Sequence, residues 1–153
     1  MNICADAGFL IALYDERDEY HKRAEECFEI YLSKRPNVLI IPWPVLYESI
    51  STRMARAKER VERIDAHFKA LRIKGQLKLL SDDQFREEAI EQCFSEAKRN
   101  VRLYRSLSLV DRVIRLVLSD TNTRIGALAT FNARDFHDVC RKFRKDIVPG
   151  LRE

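Results

Sequence analysis

The stretch Asn2-Ile-Cys-Ala-Asp6-Ala-Gly8-Phe-Leu-Ile-Ala-Leu-Tyr14 decides how this chain is read. Its first residues are a short apolar run that ends at Asp6 and Gly8, which predicts a buried strand and a turn. Phe9 to Tyr14 then reads as one or two helical turns. A strand that runs straight into a helix is the opening of an α/β unit. The rest continues the alternation. Ala24, Cys27, Phe28, Tyr31 and Leu32 recur at helical spacing and predict an amphipathic helix over 21–33, closed by Pro36 and Asn37. Residues 38–41 are apolar and β-branched, a second strand. Pro42 and Pro44 follow, and proline suits a first helical turn, so a helix should begin near Pro44.

Leu46, Ile50, Met54, Ala57, Val61, Ile64, Phe68 and Leu71 then repeat at steps of three and four. They predict a long helix, or a pair bent near Lys58, that forms a helical arm or hairpin over 44–75 and stops at Gly75. Residues 77–80 read as a short strand, and Ser81 with Gln84 as a capping box for a helix reaching about residue 100. Ser108 and Asp111 have the same spacing ahead of an apolar helical face. Residues 125–130 form a third strong strand, 135–144 a short helix, and 147–148 an edge strand. The expectation is one α/β domain over 1–153 with a mostly parallel sheet.

Composition excludes several classes. The chain has 153 residues, 46% apolar and 34% charged, which is an ordinary globular balance. Apolar runs are too short to span a membrane, and the acidic start lacks the basic region of a signal peptide. The four cysteines form no C-x-x-C pair, so a cytoplasmic protein with reduced thiols is expected. Glycine is scarce, and neither a phosphate-cradling loop nor a G-x-S-x-G elbow is present. The net charge of +4 permits a nucleic-acid partner without requiring one.

The acidic residues are placed suggestively. Asp6 ends the first strand, Glu48 and Asp111 lie near helix starts, and Asp135 follows the last strong strand. In a parallel α/β sheet, strand C-termini and helix N-termini share the edge where ligands bind. Carboxylates gathered there, with no His or Cys among them, suit hard oxygen-seeking cations such as Mg²⁺ or Mn²⁺. Each one alone has a plainer reading as a helix cap or solvated charge.

These motifs also carry a resemblance. Asp6-Ala-Gly-Phe-Leu-Ile-Ala-Leu-Tyr-Asp with Asp18-Glu-Tyr-His21, Ile40-Ile-Pro-Trp-Pro-Val-Leu-Tyr-Glu48, Leu109-Val-Asp111 and Ala129-Thr-Phe-Asn-Ala-Arg-Asp135-Phe136 resemble, in order, the four acidic motifs of PIN-domain proteins. The last takes the form seen in VapC-like toxins. The resemblance implies a three-layer α/β/α sandwich around the mostly parallel sheet and an Mg²⁺- or Mn²⁺-dependent endoribonuclease, with Asp6, Glu48 and Asp111 as the metal-binding and catalytic core and Asp135 as the fourth acid. Asn132 stands where many members place that fourth carboxylate, so the position is shared between Asn132 and Asp135. The resemblance further implies an RNA substrate, a cognate antitoxin and a homodimer.

Around these motifs, Arg53, Arg56 and Lys58 follow Glu48, Arg102, Arg105 and Arg112 flank Asp111, and Arg134 precedes Asp135. Arg53, Arg112 and Arg134 are expected to hold RNA phosphates, although each alone also reads as a solvated helix face. His21 is an accessory candidate with a structural alternative. Trp43 and Tyr47 are expected to pack in the core at the end of the second strand, with base stacking as the other possibility. A PIN-fold module that binds RNA or protein without cutting is the competing reading. A phosphohydrolase using Asp6 as nucleophile is disfavoured, because Gly8 occupies the position of the second acid such enzymes need.

Overall fold

The computed structural model describes residues 1–99 and 107–150. Five parallel strands form one sheet: β1 (Asn2–Ala5), β2 (Val38–Pro42), β3 (Leu77–Leu80), β4 (Ile125–Ala129) and β5 (Asp146–Val148), in the order β3-β2-β1-β4-β5. The expected edge strand is therefore present as β5. The central strands are buried on both faces, with Ile3, Cys4, Ala5, Ala127, Leu128 and Ala129 fully enclosed. This explains why they read as continuous apolar runs and not as alternating ones.

Among the described residues there are eight α-helices: α1 (Ala7–Tyr14), α2 (His21–Cys27), α3 (Trp43–Ser49), α4 (Thr52–Ala55), α5 (Lys58–Ile73), α6 (Arg86–Arg99), α7 (Leu109–Ser119) and α8 (His137–Lys142). Parallel crossovers are right-handed. The step from β1 through β2 to β3 runs one way along the sheet, and the steps to β4 and β5 run the other way. That puts α1 to α5 on one face and α6 to α8 on the opposite face, a three-layer α/β/α sandwich as expected. The chain reverses direction between β1 and β4, the topological switch point at which such sheets bind ligands.

Local departures have local causes. The apolar repeat over 44–75 is broken into α3, α4 and α5 at Ile50-Ser51 and at Ala57. Ile50, Ser51 and Thr52 are weak helix formers, while Met54, Ile64 and Leu71 keep the buried face continuous across the breaks. Lys58 begins α5, which packs against α1 and β3. Gly75, at φ 68°, ends α5: its N–H donates to Arg72 O and that of Gln76 to Leu71 O, at 2.9 and 2.8 Å. The Ser81 and Gln84 box does not form. A 3₁₀ turn at Asp83–Phe85 precedes α6, and Arg86 donates to the Asp82 carboxylate at 2.9 and 3.0 Å. A charge-assisted fork is stronger there than a hydroxyl cap. No helix among the described residues is long and apolar enough to cross a membrane.

Candidate functional site

Asp6 leaves the end of β1 and caps α1. Its Oδ1 accepts the Phe9 N–H at 2.7 Å, and its own N–H donates to Ala129 O at 3.2 Å. Its Oδ2 accepts the hydroxyl of Thr130, the residue that follows β4. Asp6 is thus pinned across the switch point by both strands. It is 6% exposed, and burial pushes its carboxyl up to about 6. The Thr130 and Phe9 hydrogen bonds oppose the rise, and the charges of Asp111 and Glu48 add to it.

Glu48 lies on α3, brought near the sheet edge because Pro42 ends β2 directly at the helix start. It is exposed, yet desolvation and then the Asp111 charge hold its carboxyl above the usual range. Asp111 sits in the first turn of α7, where the predicted capping box forms: its N–H donates to Ser108 Oγ at 3.1 Å and its Oδ2 accepts the Ser108 N–H at 3.3 Å. Three carboxylates separated by 105 residues in the chain therefore share one field, with Asp6 deepest. Their donor atoms are all oxygens. Among the described residues, no three His, Cys, Asp or Glu side chains close into a cage around an ion.

Asp135 and Asn132 prove to be partners. The Asn132 side-chain amide donates to Asp135 Oδ2, while the Asn132 N–H donates to Thr130 Oγ1 at 2.9 Å. A chain of contacts thereby links Asp135 through Asn132 and Thr130 to Asp6. Arg115 fixes the far side: its Nη1 donates to Asp135 O at 2.7 Å, and it forks onto Asp138 at 2.7 and 2.6 Å. Asp135, Arg134 and Arg115 line a cavity of about 610 Å³.

The basic candidates separate. Arg134 is exposed at that cavity. Arg112, expected at phosphates, is instead 3% exposed and ion-paired with Glu96 on α6. Its helical position places it between two packed helices, which sequence spacing alone does not reveal. Arg53 is exposed but donates to Asp15 Oδ2 at 3.1 Å, at the other end of α1. Lys58 pairs with Glu62 at 3.6 Å. Arg102 and Arg105 lie outside the described residues.

His21 is built into the fold, its Nδ1–H donating to Ala12 O at 2.7 Å and tying α2 to α1. The expectation of core packing for Trp43 and Tyr47 is overturned. They are 40% and 72% exposed and lie against each other with ring centroids 6.1 Å apart. Both lie on the outer side of α3, whose inner side is filled by Val45 and Leu46. Thr130 is the residue that sequence reasoning passed over. It stands inside the quoted last motif, and a hydroxyl directly after a buried strand, two residues before a turn, was its one signal.

No family model and no curated protein matches the sequence. Solved structures do. The chain is similar to VapC20 of Mycobacterium tuberculosis, a toxin that cleaves the sarcin-ricin loop, with a TM-score of 0.60 and 21% identity over 89% of this chain and 94% of that one. It is similar also to VapBC2 of Rickettsia felis, solved bound to a DNA fragment from its promoter, with a TM-score of 0.59 and 13% identity over 96% and 97%. At such identities the likeness is one of fold, and it spans nearly the whole chain.

Proposed function

We propose that this chain, which has the fold of VapC proteins, is a ribonuclease that hydrolyses RNA phosphodiester bonds and acts as the toxin of a toxin–antitoxin pair. The observation that carries the reading is the convergence of Asp6, Glu48 and Asp111 at the switch point, where burial first, and the two neighbouring charges after it, hold the Asp6 carboxyl up at about 6. Uncompensated, such a cluster is costly. The donor set fits Mg²⁺ or Mn²⁺, which take oxygen ligands, and Mg²⁺ keeps several waters while using one or two carboxylates. A closed three-ligand cage is therefore not required. Asp6, Glu48 and Asp111 would hold the ion, directly or through water. When bound, it would supply an acidified water and offset charge on the phosphate oxygens.

The residues of the chain do the rest. Thr130 and the Phe9 N–H orient the Asp6 carboxylate and favour its charged form. Ser108 holds Asp111 in one rotamer. Asp135, bound through Asn132 to the same network, orients water or a second ion, and exposed Arg134 beside it holds a substrate phosphate. The VapBC2 neighbour supports a partner antitoxin for this chain, and the exposed Trp43 and Tyr47 lie on a surface suited to a partner or to a second copy in a homodimer. A cytoplasmic location is part of the same proposal.

Incubation of a mixed structured RNA pool with Mg²⁺, Mn²⁺ or EDTA tests it. Wild type should cleave only with metal, and Asp6→Asn should lose activity on the order of 10²-fold or more, as expected for loss of a preorganised group at developing charge. Equal cleavage by folded Asp6→Asn would overturn the reading. Asn132, an amide where a fourth carboxylate is expected, favours one alternative, a PIN-fold module that binds RNA or protein without cutting. That alternative requires no metal binding by calorimetry.

A further inference from the structure

The C-terminal end of α1 carries a charge cluster that the proposed chemistry leaves unused. Asp15 is 1% exposed and accepts the Arg17 N–H at 3.1 Å, Arg53 Nη2 at 3.1 Å and Arg60 Nη2 at 3.3 Å. Arg60 Nη2 also lies 3.5 Å from Glu16, whose other oxygen takes Arg63 at 3.0 Å. Arg17, Arg53, Arg56 and Arg60 line one open hollow of about 690 Å³. Two carboxylates are thus set against these four arginines and Arg63, and Arg56 has no ion-pair partner among the described residues. The surplus is positive.

Arg60 shows that the surplus is not only structural. It is 4% exposed, and its Nε and Nη1 are buried with no acceptor. A guanidinium does not lose its proton, and buried donors are almost always paired in native proteins. Arg17 and Arg53, by contrast, are 66% and 68% exposed, so the side chains that share the hollow with Arg60 have room to rearrange around an anion, exchanging part of their pairing to Asp15 for it. What is missing is an anionic acceptor, and the walls indicate its kind. Beyond arginine they offer only Thr52 and Ala57, no apolar seat for the side chains of an acidic peptide. A phosphate needs only charge and the planar guanidinium fork.

We propose that this hollow is a second phosphate-binding site, which grips the RNA backbone away from the bond that is cut. The proposal rests on the ribonuclease reading for its substrate. The eight residues of α1 separate the hollow from Asp6 by about 12 Å. α1 itself is mostly buried, so the substrate does not lie on it; a single RNA strand that spans this distance over the surface would be held at two points, near the two ends of one helix.

The test is binding of a labelled single-stranded RNA of mixed sequence, read by fluorescence anisotropy in EDTA across a salt series. Arg53→Ala/Arg56→Ala removes two exposed cations; Arg53 also pairs with Asp15, so circular dichroism first confirms that the variant is folded. Arg56→Ala alone, which breaks no ion pair among the described residues, should lower the slope of log K against log salt by about 0.7. With both cations removed the slope should fall by about 1.4, and binding at ~0.1 M salt should weaken on the order of tenfold. Arg141→Ala/Lys142→Ala, with the same charge change on α8, should bind within about twofold of wild type. An unchanged slope and affinity in the hollow variant, while wild type still cleaves RNA with metal, overturns the site and leaves the nuclease reading standing. Arginine-dependent RNA binding by a wild type that cleaves in no metal supports the site and overturns the nuclease reading. Binding of a glutamate-rich peptide that the hollow variant loses, with its RNA binding intact, also overturns the proposal.

Discussion

Asp6 and Asp15 bracket the same helix, are the same residue type and are almost equally buried, yet their carboxyl groups shift in opposite directions. Asp6 is raised to about 6, by burial first and by two neighbouring carboxylates. Asp15 also meets a burial penalty, but the Arg17 N–H and the charges of Arg60 and Arg17 outweigh it and hold the group below the usual carboxylate range. Burial alone does not decide a charge state; the company in the buried site does. One end of α1 is a site of concentrated negative charge, and the other a site of surplus positive charge. A helix with no charged residue of its own separates them.

The contrast can be broken most severely at Asp15. Asp15→Ala leaves the Arg60 guanidinium buried against only a partly exposed Glu16, and unfolding in urea should show a loss of about 3 kcal/mol at pH 7. Because Asp15 is held low, its contribution is fully present above pH 3.8 and is lost as pH falls through its folded value, so wild type and variant should converge in acid. A variant as stable as wild type at neutral pH would remove the ion cluster from the account of the fold.

At the opposite end the sign reverses. Between pH 3.8 and about 6 the folded state keeps a proton on Asp6 that the unfolded chain has released. Wild-type stability should therefore fall through that window and stay low above it. Asp6→Asn keeps a cap for α1 and removes the penalty, so metal-free protein should gain about 1–3 kcal/mol at pH 7 and nothing below pH ~4. Parallel denaturation curves of the two proteins across pH 4–7 would refute the raised carboxyl. The smallest effect sharpens the same point. Thr130→Val deletes the hydroxyl that favours the charged form of Asp6 and costs about 1–2 kcal/mol at pH 7. It should move the Asp6 titration, followed by NMR, further upward.

Much of this was legible in the residues. The strand ending at Asp6, the helix opened by Pro42 and Pro44, the Ser108 and Asp111 cap and the stop at Gly75 are local signals, set by hydrophobic period, missing donors and backbone freedom. The less local the contact, the less was legible. Arg112 reads as one more surface cation until α6 is seen to supply Glu96, and Trp43 reads as core until α3 turns it outward. Asp15 has only Arg17 in its own segment to mark it, because Arg53 and Arg60 reach it from 38 and 45 residues away. The coupling of Asp6 to Asp111 and Glu48 was expected from the topology of parallel sheets, while the Thr130 and Asn132 bridge depended on side-chain geometry that no spacing rule encodes.

The Asp6–Thr130 contact joins residues 124 positions apart and sits beside the central strand of the sheet. During synthesis, β1 emerges first and finds β2 early, but its other edge stays bare until β4 leaves the ribosome. The carboxylate then has no hydroxyl to hold it and no strand to wall it in. The site is complete only once every residue from Asp6 to Thr130 has left the ribosome. The order of the strands thus makes closure of the site, and with it the holding of Asp6, a late event in folding.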